Sequence, residues 1–188
     1  MIYLISGASR SGKSKLAQEI HLETGISYLP LDIIMMAFME GVPESGIDDK
    51  LWPDVIAEKL WPFLKSFIDN LLINEMDFII DGEAMLPNLL SPLLKKYSDK
   101  IKVVFLGYCT IESTKKIEYC NKYLAGETDW LIYLTDLDIK EHVDNMIQYS
   151  KKIKLLCDEY EMEYIDTSDN FLESLKKAKK YLLEGEEK

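Results

Sequence analysis

The chain has 188 residues, of which 47% are hydrophobic and 29% are charged, and its formal net charge at pH 7 is -11. This composition excludes disordered and fibrous proteins, and the length predicts a single domain over residues 1–188. The strong negative charge argues against a nucleic acid partner, because a polyanion would have to bind a local basic patch against the repulsion of the whole chain.

Cysteine content and hydrophobic runs bear on the compartment. Cys109, Cys120 and Cys157 are too few and too widely spaced for a disulfide framework or a metal knuckle. The N-terminal residues lack a secretory leader, and no run reaches the roughly 18 apolar residues that a membrane span needs. We therefore expect a cytoplasmic protein without a membrane partner, present as a monomer or a homodimer.

The first forty residues predict a strand, a glycine-rich turn, a helix and a second strand. Residues 2–5 are a short apolar run that stops at Ser6-Gly7, which is typical of a buried strand. Apolar residues then recur at helical spacing from Gly12 to Gly25, where the glycine is typical of a helix end. Residues 26–30 predict the second strand.

The middle of the chain predicts a long helix and two more strands. Apolar residues recur at helical spacing from 51 to 73, and we expect Pro62 to kink or divide this helix because proline lacks the amide donor. Residues 77–81 predict a third strand that ends in an acid. A helix over 88–97 and a fourth strand over 101–106 follow.

The last third predicts helices over 111–124 and 139–160, a fifth strand with its exit over 164–168, and a closing helix over 171–183. Short apolar strands alternating with helices indicate an α/β fold with a parallel sheet covered by helices on both faces. Such sheets bind ligands beyond the carboxyl ends of their strands. We therefore expect the glycine-rich turn and the acids that follow strands two, three and five to share one rim.

The glycine-rich turn matches a phosphate-binding pattern at each fixed position, Gly7-x-x-x-x-Gly12-Lys13-Ser14. Glycines let the backbone bend so that successive amides point inward, and the start of the next helix presents its positive end to phosphates. Lys13 would reach the β- and γ-phosphates, and Ser14 would ligate Mg²⁺. The alternative is a chance glycine-rich turn. The predicted nucleotide site comprises Gly7, Ala8, Ser9, Arg10, Ser11, Gly12, Lys13 and Ser14.

Two acids near the third strand are candidates for metal and substrate contacts. Asp81 ends the strand, the placement of an acid that holds Mg²⁺ in phosphate-loop proteins, although it could be a solvated acid starting an Asp-Gly turn. Glu83 could touch metal, substrate or only water.

Arg10, the only arginine in the chain, could pair with a phosphate or a substrate anion, or extend into solvent.

Asp32 is the candidate base, because it is one acid in an apolar stretch just past the second strand. Its carboxylate could orient an attacking hydroxyl or accept its proton. The alternative is a helix N-cap, where aspartate is favoured.

His21 and His142 are expected to be surface residues. The apolar residues around Asp32 are more typical of core than of pocket lining; they are Met35, Met36, Met39, Trp52 and Trp61.

Residues 7–14, Asp32, Asp81 and the Tyr164-Ile165-Asp166-Thr167-Ser168 exit together resemble the nucleoside and nucleotide kinase group of P-loop proteins, the adenylate-kinase-like small-molecule kinases. The resemblance implies a three-layer P-loop fold with a five-stranded parallel sheet of order 2-3-1-4-5. It also implies ATP and Mg²⁺ as cofactors, with the magnesium-organising acid after the third strand.

The resemblance implies a role for each site residue. Lys13 and Asp32 would be catalytic, Ser14 and Asp81 would hold Mg²⁺, and residues after the fifth strand would border the adenine, here Asp166, Thr167 and Ser168. A lid between the fourth and fifth strands, here around 119–138, would close over the phosphates and supply arginines. Residues 107–165 contain no arginine, so the candidate cations are Lys115, Lys116, Lys122, Lys151, Lys152 and Lys154.

The function predicted from these residues is a kinase that transfers the γ-phosphoryl group of ATP to a hydroxyl or phosphate of a small metabolite or nucleotide. The shortage of arginine keeps open a nucleotide-binding regulatory protein or an NTP hydrolase without an acceptor substrate. A third alternative is a binding module that keeps the loop for stability. The acceptor itself is not identified, because residues 33–61 follow no motif that names it.

Overall fold

The computed structural model describes residues 1–122 and 135–184. Five β-strands lie in these residues: β1 (Ile2–Gly7), β2 (Ser27–Pro30), β3 (Phe78–Asp81), β4 (Ile101–Gly107) and β5 (Tyr164–Asp166). The same residues form seven α-helices: α1 (Lys13–Thr24), α2 (Leu31–Gly41), α3 (Pro53–Ile73), α4 (Pro87–Lys96), α5 (Ser113–Lys122), α6 (Asp136–Glu159) and α7 (Phe171–Glu184).

The strands form one sheet in the order β2-β3-β1-β4-β5, and every pairing is parallel. This confirms the predicted fold class and strand order. In the register, Ile5 lies opposite Asp81 and Gly7 lies opposite Leu106. The carboxyl ends of β1 and β3 therefore meet, which brings the glycine-rich loop beside the acid that ends β3.

Helices cover both faces of the sheet, because alternate residues of each strand point to opposite faces. In β4, Val103 and Phe105 belong to one buried cluster, which also takes residues from α3, α4 and α6. Val104 and Leu106 belong to the other cluster, which is built with residues of α1 and α7. The continuous apolar strands of the sequence thus reflect burial on two sides.

Helix α3 runs unbroken from Pro53 to Ile73 with Pro62 inside it, so Pro62 does not divide the helix. That Pro62 kinks the helix stays a prediction. Pro62 is exposed, and the carbonyl that loses its helical partner can be solvated. On the other side of the helix Leu60 and Leu64 are at most 1% exposed. Burial of this face outweighs the roughly 3 kcal/mol that an interior proline costs.

Residues 31–41 form α2 directly after β2. Helix α6 begins with a capping box. The Thr135 hydroxyl oxygen accepts from the Asp138 backbone amide, and the Asp138 carboxylate accepts from the Thr135 backbone amide.

The predicted lid around 119–138 lies mostly outside the described residues. Across residues 1–122 and 135–184, no helix combines the length and apolar character needed to cross a membrane.

Candidate functional site

The glycine-rich loop connects the buried end of β1 to the first turn of α1. Gly7 has a φ of +124°, and a Cβ placed on it would lie 1.8 Å from the Leu106 carbonyl oxygen, so only glycine fits against β4 here. Gly12 caps α1 with a φ of +101°. The first amides of a helix have no acceptor within it, and with the helix dipole they favour an anion. The loop therefore has the geometry of a phosphate site.

Three successive carbonyls of this loop are held by side chains. The Ala8 carbonyl accepts from Lys13 Nζ at 2.8 Å. The Ser9 carbonyl accepts from the Tyr108 hydroxyl at 2.6 Å, and the Arg10 carbonyl accepts from Lys116 Nζ at 2.8 Å. Each peptide unit is planar, so a hydrogen bond to the carbonyl of one residue also sets the direction of the N–H group of the next residue. These three contacts therefore orient three consecutive peptide units of the loop.

Lys116 contacts the phosphate loop from α5. It is 5% exposed, and its Nζ lies 3.7 Å from the centroid of the Tyr108 ring. Burial lowers the pKa of Lys116 to about 8, and the positive charges of Arg10 and Lys13 act in the same direction. Arg10 has a φ of +55°, an unfavourable conformation for a residue with a side chain. Lys116 holds the carbonyl of that strained residue.

Other candidate lysines are engaged elsewhere. Lys152 Nζ lies 2.6 Å from Asp54, and Lys154 pairs with Asp158 on α6. Lys115 is exposed. Among the candidate lysines whose side chains the structure describes, Lys116 is the one that donates a hydrogen bond to the phosphate loop.

Ser14 and Asp81 meet at the start of α1. The Ser14 hydroxyl donates to Asp81 Oδ2 at 2.7 Å, while Asp81 is 2% exposed, so the reading of Asp81 as a solvated turn acid is wrong. Its other oxygen, Oδ1, is buried and has no hydrogen-bond partner among the described residues. Burial raises the pKa of Asp81, opposed by Ser14, Tyr28 and Lys13. A hydroxyl and a carboxylate with a spare oxygen are hard ligands that fit Mg²⁺.

The exit of β3 carries the second acid towards the loop. Gly82 packs against α2 so closely that a Cβ on it would lie 2.6 Å from Leu31 Cβ. Glu83 Oε1 then accepts from the Ser9 amide at 2.7 Å, and burial raises the pKa of Glu83. Glu83 therefore contacts the backbone of the phosphate loop, a role that the sequence did not suggest.

A cavity of about 700 Å³ opens between the phosphate loop, α2, the start of α3 and α6. Asp32 lines it at the second residue of α2, whose N-cap is Pro30 without a side-chain cap; the alternative that Asp32 is an N-cap is wrong. Ser9 and Glu83 line the same cavity. A carboxylate and the phosphate loop thus face one space.

Helix α6 supplies a wall that the sequence analysis missed. His142, Asn145, Met146 and Tyr149 line the cavity. His142 is half-buried there instead of lying on the surface as expected, and burial lowers its pKa, with the Arg10 charge acting in the same direction. The spacing of these residues by three and four marks one helical face, which is the signal that could have identified them.

The apolar residues around Asp32 divide between cavity and core. Met36 and Trp52 line the cavity, contrary to the expectation of core packing. Met35 lines the cavity and also packs against the main buried cluster. Trp61 packs against the main buried cluster, as expected.

The residues after β5 make internal hydrogen bonds. Asp166 accepts from the amides of Cys109 and Ser168, both at 2.8 Å. The Thr167 hydroxyl donates to the Gly107 carbonyl at 3.0 Å, and the Ser168 hydroxyl accepts from the amide of Thr110. These contacts join the ends of β4 and β5. That Asp166, Thr167 and Ser168 border the adenine stays a prediction.

Comparison by sequence gives no relative: no protein-family model matches the chain, and no curated protein matches it significantly. Solved structures do match. A gluconokinase from Sinorhizobium meliloti is 15% identical, with a TM-score of 0.56 over 97% of this chain and 91% of its own. A sugar kinase from a Janibacter species is 16% identical, with a TM-score of 0.56 over 97% and 94%. A shikimate kinase from Bacteroides thetaiotaomicron is 15% identical, with a TM-score of 0.57 over 98% of each chain. These likenesses show that the chain has the P-loop kinase fold.

Proposed function

We propose that this protein is a kinase that transfers the γ-phosphoryl group of ATP to a hydroxyl or phosphate of a small metabolite, with Mg²⁺ as cofactor. The observation that carries the proposal is that Ser9 of the phosphate loop and Asp32 line one cavity of about 700 Å³. A cavity of this size suits a small molecule. The fold that the chain shares with solved sugar and shikimate kinases supports the same proposal.

The loop residues bind and orient the nucleotide in this proposal. The amides at the start of α1 bind the phosphate oxygens, and Lys13 exchanges the Ala8 carbonyl, 2.8 Å away, for an oxygen of the γ-phosphate. When bound, Mg²⁺ neutralises negative charge on the phosphates. Ser14 and Asp81 would hold it together with phosphate oxygens and water, since the described residues contain no cluster of three or more acidic, histidine or cysteine ligands.

Asp32 acts on the acceptor. A hydroxyl in the cavity donates a hydrogen bond to the Asp32 carboxylate, which directs its oxygen at the γ-phosphorus. The new oxygen–phosphorus bond forms as the bond to the β-phosphate oxygen breaks, so ADP leaves and the hydroxyl proton passes to Asp32.

The test is a metabolite screen with γ-labelled ATP, comparing the wild-type protein with two variants. Asp32→Asn should lower the turnover number by roughly 10²-fold to 10⁴-fold and leave nucleotide affinity unchanged. Lys13→Ala should abolish turnover and weaken nucleotide binding. Asp48→Asn is the matched control, because Asp48 is exposed and is not among the residues that line the cavity. A protein that binds nucleotide and labels no acceptor refutes the kinase proposal.

One observation favours the alternative of an NTP hydrolase or nucleotide-binding regulatory protein: Arg10 is the only arginine in the chain. P-loop enzymes commonly use an arginine to stabilise the charge that develops on the transferred group. ATP turnover in water that persists in Asp32→Asn and that no acceptor changes would favour this alternative. If neither variant nor wild type turns over nucleotide, the loop serves binding alone.

A further inference from the structure

The charges around the cavity are mostly negative. Asp32, Asp49 and Glu83 line it, and Lys50 is the one lysine among the lining residues. Burial lowers the pKa of His142, which favours the neutral form of its imidazole. Recognition of carboxylate or phosphate groups normally uses arginine. This cavity has none in its described lining.

The rest of the lining is apolar, with one polar anchor. Met35, Met36, Trp52 and Ile56 contribute apolar surface. Tyr149 is 6% exposed, and its hydroxyl is buried without a hydrogen-bond partner among the described residues. A buried hydroxyl without a partner is costly, so a polar group of a ligand in the cavity that Tyr149 lines would stabilise it.

We propose that the acceptor is an alcohol that carries no carboxylate or phosphate group, and that is either uncharged or bears an amine. Its apolar body packs against the methionines and Trp52, its reacting hydroxyl binds Asp32, and a polar group of it pairs with the Tyr149 hydroxyl. This inference rests on the proposed kinase function and narrows it, since it excludes nucleotides, sugar phosphates and sugar acids as acceptors.

The physical reason is Coulombic. An anionic acceptor would enter a cavity where the carboxylates of Asp32 and Asp49 oppose it and one lysine attracts it, while burial raises the pKa of Glu83 and so favours its neutral form. Like charges separated by roughly 7 Å at a protein surface repel strongly enough to weaken binding by about tenfold or more. An ammonium group gains from the same field, and aromatic Trp52 can stack on it.

The experiment uses three matched probes that each have a primary alcohol and an apolar ring: para-hydroxymethyl benzylamine, para-hydroxymethyl benzamide and para-hydroxymethyl benzoate. Their affinities are measured by calorimetry with the full chain, Mg²⁺ and a non-hydrolysable ATP analogue, at mildly alkaline pH where His142 is neutral. We expect the amine and the amide to bind about tenfold or more tightly than the benzoate.

Three variants and one control locate the effect. Met36→Trp, at a partly exposed lining position, should block all three probes by filling the cavity. Asp49→Asn should narrow the gap between benzoate and amide, whereas Asp48→Asn, outside the cavity lining, should leave it unchanged. Tyr149→Phe should weaken the benzamide, which can pair with the hydroxyl.

Benzoate binding as tight as the amide, or no binding by any probe, overturns the inference. The same probes are then incubated with γ-labelled ATP. The expected affinity order without any transfer of label would support the charge preference of the cavity and refute the kinase proposal. Transfer to the benzoate in preference to the other two would support the kinase proposal and overturn the inference.

Discussion

Replacing Lys116 with methionine tests how the phosphate loop is held. Lowering the pKa of this lysine from 10.5 to about 8 corresponds to a cost of about 3 kcal/mol for its charged form, since each pKa unit is worth about 1.4 kcal/mol. Methionine removes that cost but leaves the Arg10 carbonyl without the donor it has at 2.8 Å, which costs about 1–3 kcal/mol. The two effects nearly cancel at neutral pH, so Lys116→Met should fold with near wild-type stability.

The pH dependence separates the two effects. Between about pH 8 and 10.5 the unfolded chain binds the Lys116 proton and the folded chain does not, so the wild-type protein gains stability as pH rises. The variant lacks this gain. We expect urea unfolding to show that, between pH 7 and about pH 10, the free energy of unfolding of the variant falls by roughly 2 kcal/mol relative to that of the wild type.

Nucleotide binding supplies the functional readout. Loss of the donor to Arg10 loosens the loop and removes a positive charge beside it, so we expect ATP affinity at neutral pH to fall roughly tenfold in Lys116→Met. Lys115→Met is the control, because Lys115 is exposed and adjacent in sequence. A stability difference that is the same at both pH values, or an equal loss of affinity in the control, would refute the reasoning.

Two further changes test the backbone around the site. Gly7→Ala should destabilise the fold by roughly 3 kcal/mol or more in chemical denaturation, because its Cβ would lie 1.8 Å from the Leu106 carbonyl oxygen; Gly41→Ala, which meets nothing within 4 Å, should be close to neutral, and equal midpoints would contradict this account. Asp166→Ala should cost about 2 kcal/mol through the loss of two accepted hydrogen bonds, one of them from the Cys109 amide. Asp166→Asn keeps one acceptor oxygen and should cost less; a larger loss in the asparagine variant would count against this role.

The phosphate loop could be found from sequence because its chemistry is local. Residues 7–14 are contiguous, and their glycines, lysine and serine are all required by one stretch of backbone. Asp81 could be placed for a similar reason, since it ends a recognisable apolar strand and parallel strands share an edge. The strand order followed from the resemblance, and the structure confirms it.

Pro62 shows the limit of local rules. Proline predicts a break in a helix, yet α3 continues through it because its apolar face is buried against the sheet. Local preference is worth a few kcal/mol, and packing of several leucines and isoleucines exceeds it. Only the tertiary environment decides which effect is larger.

The sequence by itself determined the fold class, the phosphate loop and the acids at the carboxyl edge of the sheet, because periodicity and short motifs encode them. Only the tertiary structure decided which distant residues complete the site. Tyr108 and Lys116 reach loop carbonyls from 99 and 106 positions away, and α6 brings Tyr149 to the cavity that Asp32 lines. No local pattern carries such contacts, since they depend on how helices pack over the sheet.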